Sequence, residues 1–97
     1  MEMRYRCFTA ELDDGSATVH ELQAVDGPFS VGRVQWREDT GECVNIHINQ
    51  SRQREGIATS LWRAAEEIAP IRHSAFRSEA GDAFARAVGR FLPRRYA

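Results

Sequence analysis

Short runs of alternating apolar and polar residues fill the first half of the chain, and a stripe with a period of about 3.6 replaces them after position 56. Arg4 to Leu12 and Ala17 to Val25 read as two strands joined across Asp13-Asp14-Gly15-Ser16, a run of turn formers, so the chain opens on a hairpin. After Asp26-Gly27-Pro28 comes a third strand, Phe29 to Arg37. Its apolar positions change parity between Val31 and Val34, which predicts a bulge near Gly32. Asp39-Thr40-Gly41 then turns the chain into a fourth strand. There Val44, Ile46 and Ile48 alternate with Asn45, His47 and Asn49, giving one apolar and one hydrogen-bonding face.

From Gly56 to Ala69 the residues Ile57, Leu61, Ala64, Ala65 and Ile68 fall on one side of a helix that Pro70 stops. Ile71 to Phe76 is a short strand. Ser78 can cap a final helix with Glu79 and Asp82 in its first turn and Ala83, Phe84, Ala87, Val88 and Phe91 as its stripe, ended by Pro93. The fold class expected is α/β: a small mixed, mostly antiparallel sheet of about five strands with two helices. A strand-helix-strand unit around Gly56 calls for parallel strands and a right-handed crossover. At 97 residues, residues 1–97 make a single domain that buries about two-thirds of its unfolded surface.

A net charge of −1 with 42% hydrophobic residues fits a globular protein and argues against a disordered or polyanion-binding arm. The charge is unevenly placed: positions 1–49 hold four Arg against nine acids, and positions 72–97 hold six Arg against two. Such asymmetry serves either as a steering field or as plain solvated surface. Arg86, Arg90, Arg94 and Arg95 cluster in the tail, but the net negative charge and the lack of interleaved aromatics count against nucleic acid as a partner. Cys7 and Cys43 are too few for a disulfide scaffold and read as small packed hydrophobes, which suits a cytoplasmic location. No apolar run is long enough to span a membrane, and MEMRYRCF lacks the hydrophobic core of a secretion signal. His20 and His73 have no ligand-like spacing with carboxylates or cysteines, so a metal site is not expected.

The candidate chemistry lies where the strand pattern gives way to the helix. Gln53-Arg54-Glu55-Gly56-Ile57-Ala58 opens the helix directly after CVNIHIN, aiming free backbone amides and the positive helix end at any anion docked there. A nucleotide P-loop needs a lysine, and this chain has none; a dinucleotide fingerprint needs three spaced glycines. The run instead resembles the Gln/Arg-x-x-Gly-x-Gly/Ala signature of the GNAT superfamily of acetyl-CoA-dependent N-acetyltransferases, met by Gln53, Gly56 and Ala58 with Thr59 and Leu61 behind it. Ile48 stands five residues before Gln53, where that family usually has valine, and VGRVQW…GECVNIHI is similar to its third and fourth strands. The likeness covers roughly residues 29 to 91.

That resemblance implies a truncated acyl-CoA N-acyltransferase fold. It also implies an enzyme that moves an acetyl group from acetyl-CoA to a primary amine. Backbone groups of Ile46 and Ile48 would hold pantetheine and acetyl. The amides from Arg54 through Glu55, Gly56 and Ile57 to Ala58 would take the pyrophosphate, flanked by Gln53 and Thr59. Ser78 occupies the position where an asparagine often touches CoA. A base must deprotonate the incoming ammonium. Glu42, six residues before Ile48, matches the basic glutamate of some members, although an exposed turn residue fits the same place. His47, an imidazole on the polar face of the same strand, is the rival base, and a hydrogen-bonded structural histidine is its alternative role. Ala85 stands where many members carry the tyrosine that protonates the departing thiolate, with Tyr5 or Tyr96 as substitutes. Two helices usual between the first strands are replaced by a short turn, and the usual closing strand pair is missing. The acceptor side should therefore be open, suiting an amine on a protein or other macromolecule, and the free sheet edge could pair two copies as a homodimer. A module of the same fold that binds or inhibits without turnover is the other reading.

Overall fold

The computed structural model describes residues 1–73. Strands β1 (Glu2–Leu12), β2 (Gly15–Asp26), β3 (Phe29–Arg37) and β4 (Cys43–Ile48) form one antiparallel sheet in the order β1-β2-β3-β4. A 3-10 turn (Gln50–Arg52) and helix α1 (Ile57–Ile68) follow. The first hairpin is tighter than its sequence suggested, because Leu12 pairs with Gly15 and only Asp13 and Asp14 turn the chain.

The bulge expected near Gly32 is present. Ala24 faces Gly32 and Val25 faces Ser30, which leaves Val31 as the extra residue. Gly32 also admits close packing: a Cβ there would lie 2.6 Å from Ile48 Cδ1 and 3.3 Å from Leu61 Cδ1. A second bulge was not legible in the sequence. Gln35 pairs with Asn45 and Trp36 with Cys43, so Val44 is the inserted residue. This corrects the reading of the fourth strand, because one extra residue inverts the parity before it. Cys43, not Val44, joins Ile46 and Ile48 on the side of the core, and Val44 is exposed.

The core lies between the sheet and α1. Leu22, Ala24, Val34, Trp36 and Cys43 meet Ile57, Leu61, Trp62 and Ala65, with Ile71 closing one end. Ile57, Leu61 and Ala65 of the expected stripe are buried and Ala64 packs partly on the core, but Trp62, not expected there, is fully buried and Ile68 is 50% exposed. A buried indole beside Leu61 supplies more apolar contact than Ile68, so the helix seats on its Trp62 side. Trp62 also stacks on His73, with ring centroids 3.8 Å apart.

Beyond the helix the chain returns to the start of β4. The Arg72 N–H donates to the Gly41 carbonyl (2.9 Å) and the Cys43 N–H donates to the Arg72 carbonyl (2.7 Å), forming a parallel bridge between Glu42 and Arg72. This is the described part of the strand expected from Ile71. The remainder of that strand and the final helix with Ser78 lie outside the described residues. The described part is thus a small mixed α/β domain with a four-stranded antiparallel sheet and one helix.

The opposite face of the sheet holds a buried charge. Glu21 is fully buried and accepts hydrogen bonds from Arg6 Nε (2.7 Å), Gln23 Nε2 (2.9 Å) and Gln35 Nε2 (2.5 Å). Burial pushes its carboxyl up, but the donors from Arg6, Gln35 and Gln23 outweigh that and hold it below the usual carboxylate range. Cys7 is exposed, contrary to the expectation of a packed thiol, because β1 is an outer strand with its side chains largely in solvent.

Candidate functional site

Two hollows lie at the two ends of β4. The first, about 240 Å³, is lined by Ile48, Arg52, Gln53, Arg54, Gly56, Ile57, Ala58 and Thr59. Its wall is tied down at several points. The Asn49 N–H and Nδ2 donate to the carbonyls of Val31 (2.9 Å) and Ser30 (3.0 Å), fixing the exit of β4 to β3. Arg52 then donates from Nη1 to Asp26 (2.9 Å) and from Nε to both carboxylate oxygens of Glu55 (2.9 Å each). These bonds raise the Arg52 guanidinium above its ordinary value, with Glu55 the largest contributor and Asp26 next.

Held in this way, the loop contains two left-handed residues, Arg54 at φ 71° and Gly56 at φ 78°. For Arg54 that conformation costs roughly 1–2 kcal/mol, and backbone strain of this kind gathers at ligand sites. Gly56 is the N-cap of α1 and has no side chain to cap it, so no side-chain oxygen caps the first turn. The helix ladder begins with the Ser60 N–H on the Gly56 carbonyl (3.0 Å), which leaves the amides of Ile57, Ala58 and Thr59 without helical partners. No acid stands in the first turn of α1. Glu55, the nearest, is turned to Arg52, while Arg54 makes no ion pair among the described residues. A Cβ built on Gly56 meets nothing within 4 Å, so a ligand can approach the main chain from that side. Successive amides in such alternating conformations form an anion-binding concavity.

The second hollow, about 590 Å³, is lined by Glu11, Leu12, Asp13, Asp14, Arg37, Glu42, Cys43 and Val44. Arg37 braces it by donating to Asp14 (2.8 Å) and to Asp39 (2.8 and 2.9 Å), which ties the first turn of the meander to the third. Asp39 is accordingly held below the usual carboxylate range, chiefly by the Arg37 hydrogen bond. With Arg37 so engaged, Glu11, Asp13 and Glu42 leave the hollow negative. Glu42 is positioned by main-chain bonds, its N–H to Thr40 Oγ1 (3.1 Å) and its carbonyl from the Arg37 N–H (2.9 Å), and its carboxylate has no partner among the described residues. Cys43 is no nucleophile, because burial, with the Glu42 charge adding, pushes its thiol up to about 12.

The fold thus brings Ile48, Gln53, Arg54, Gly56, Ile57, Ala58 and Thr59 together and puts Glu42 at the far end of the same strand. Ile46 lies between them, packed on the core. His47 does not share the Glu42 hollow; it is exposed and pairs in register with Arg33. Tyr5 lies three strands away on β1, hydrogen-bonded to His20. Ser78, Ala85 and Tyr96 fall outside the described residues. Sequence reasoning missed Arg52 and Asp26 as anchors of the loop. It also missed the meeting of the first-turn acids with Glu42, since residues about thirty positions apart are neighbours only once strand register is known.

Among the described residues no group of three or more His, Cys, Asp or Glu could hold a metal ion. No helix among them is long and apolar enough to cross a membrane. No protein-family model, no curated protein and no solved structure matches this chain.

Proposed function

We propose that this domain is an acetyl-CoA-dependent N-acetyltransferase of the GNAT type, acting on a primary amine of a protein or other macromolecule. The observation that carries the reading is the amide cradle at the start of α1, with Arg54 and Gly56 left-handed and no acid in the first turn. A diphosphate suits that cradle in charge and in donor supply. From it β4 runs roughly 20 Å to Glu42, a distance that an extended pantetheine arm fits. The Val44 bulge interrupts the regular pairing of β3 with β4 near the Glu42 end.

Acetyl-CoA supplies an activated thioester. The chain contributes Glu42, whose carboxylate takes a proton from the incoming ammonium. The freed lone pair attacks the thioester carbonyl, the new C–N bond forms as the C–S bond breaks, and CoA leaves as a thiolate. Glu11 and Asp13 beside Glu42 favour a cationic acceptor, and among the described residues only the two-residue turn between β1 and β2 stands on that side. The same turn favours a macromolecular amine over an enclosed metabolite.

Thermal shift with acetyl-CoA against S-acetyl-pantetheine, which lacks the diphosphate, tests the cradle. Stabilisation by the first and not the second is the expected result, and no shift with either removes the cofactor from the proposal. Mass spectrometry of basic proteins incubated with domain and acetyl-CoA tests transfer, with Glu42→Gln slowing it at unchanged CoA binding. The second reading, a CoA-binding module without turnover, is favoured by one observation: Tyr5 is remote and engaged, so no tyrosine among the described residues stands ready to protonate the thiolate. Binding without acetylated product would select it.

A further inference from the structure

We infer that two copies of this chain pair through their β1 strands, antiparallel and centred on Cys7, to give one continuous eight-stranded sheet. Strand β1 is an outer strand of eleven residues with no proline, and its register with β2 is unbroken from Glu2 to Leu12. Natural edges of this length are ordinarily interrupted by a bulge or proline, or covered. Among the described residues nothing lies on the far side of β1, and Arg4, Tyr5, Arg6, Cys7 and Thr9 are exposed.

The hairpin geometry says which residues would pair. Leu12 and Gly15 flank a two-residue turn and form the first hydrogen-bonded pair, so alternation directs the main-chain groups of Met3, Tyr5, Cys7, Thr9 and Glu11 outward. Charge and overlap together select the register, since sliding toward the C-termini shortens the paired stretch. Sliding two β1 strands toward their N-termini sets Arg6 against Arg6, Arg4 against Arg6, or Arg4 against Arg4. The full-length register avoids every like-charge pair: Arg6 faces Phe8 of the second copy twice, Arg4 faces Ala10, Glu2 faces Leu12, and Met3 faces Glu11. Within one chain the Arg6 guanidinium already lies 4.7 Å from the Phe8 ring centroid, so the pairing extends an existing contact. Complete overlap and freedom from charge repulsion thus coincide in one self-complementary arrangement, as a two-fold interface requires.

In that register the two Cys7 residues are directly opposed, with Cα atoms about 5.5 Å apart, inside the range a disulfide spans. Sedimentation of the full chain over a micromolar concentration series should give the mass of two chains. Mild oxidation should cross-link it through Cys7 and not through buried Cys43. Thr9→Pro removes an outward N–H without touching the β1–β2 ladder and should yield a folded monomer by circular dichroism. If that variant unfolds, Ala10→Arg opposes Arg4 twice and should dissociate the pair by charge alone. A single-chain mass throughout, a dimer that survives the folded variant, or a dimer that does not cross-link at Cys7 overturns the inference.

Discussion

Replacing Glu21 by glutamine isolates what a buried charge does in a domain with so small a core. The substitution keeps shape and volume but turns one acceptor oxygen into a donor facing Gln35 and Arg6. Hydrogen bonds to a charged group contribute about 1.5–3 kcal/mol each, and an orphaned donor costs about as much again when it cannot reach water. Here Gln23 and Gln35 are half-exposed and can turn outward, and Arg6 is mostly in solvent, which screens the ionic part. The expected loss is therefore near the size of one such bond, about 2 kcal/mol, or about 8–16 °C in Tm for a domain of this length. The carboxyl is held below its ordinary value, so its stabilisation is complete above the unfolded pKa of about 4.3 and is lost as pH falls through the folded one. Urea melts of both proteins should differ by a constant amount near neutrality, and the gap should narrow below the unfolded pKa of about 4.3 and close once the folded carboxyl is protonated. A gap as wide at low pH as at pH 7 would assign the loss to packing, and equal midpoints throughout would refute the whole account. Arg6→Leu with Glu21→Leu should recover much of the loss, because removing both charges leaves no buried one unpaired.

Three further outcomes follow from single residues. Gly56→Asn and Gly56→Asp both tolerate φ 78° better than other side chains, so the pair separates charge from backbone strain. The aspartate variant should lose at least tenfold more acetyl-CoA affinity by calorimetry, and equal losses would deny the cradle its role. Gly41→Ala meets two penalties, a left-handed φ of 73° and a Cβ overlapping the Pro70 carbonyl. It should cost more than about 2 kcal/mol in urea unfolding, and a loss under about 0.5 would show that the return to Arg72 is looser than described. In native protein a thiol reagent should label Cys7 promptly and Cys43 only on unfolding, since burial holds the Cys43 thiol up at about 12; equal rates would contradict the described packing.

Much of the meander was legible because period-2 alternation survives in any strand with one buried face. The Val31 bulge showed itself as a parity change in a run with apolar residues on both sides of the break. The Val44 bulge did not, because Val44, Ile46 and Ile48 keep perfect alternation while Cys43, an ambiguous residue, takes the core position. The helix stripe held at Ile57, Leu61, Ala64 and Ala65 but included Ile68 and left out Trp62 for a related reason: a wheel ranks Ile68 with Leu61, but only the sheet beneath decides whether the indole of Trp62 or the end of the helix is covered. The loop before α1 was legible through the run Gln53 to Ala58 and the change of period after it. Left-handed Arg54 carries no sequence mark; it lies between Arg52 and Glu55, which bond to one another, while Arg52 also bonds to distant Asp26.

The order of elements over residues 1–73, the helix beginning after Gly56 and the excess of acids in the front half are properties of local spacing and composition, and the sequence alone determined them. Tertiary structure decided which residues face one another: the acids of the first turn beside Glu42, His47 apart from it, and Glu21 sealed by donors from three strands. The physical reason is that local pattern sets periodicity, whereas register, bulges and cross-strand pairing are settled only when distant segments compete to bury the same core.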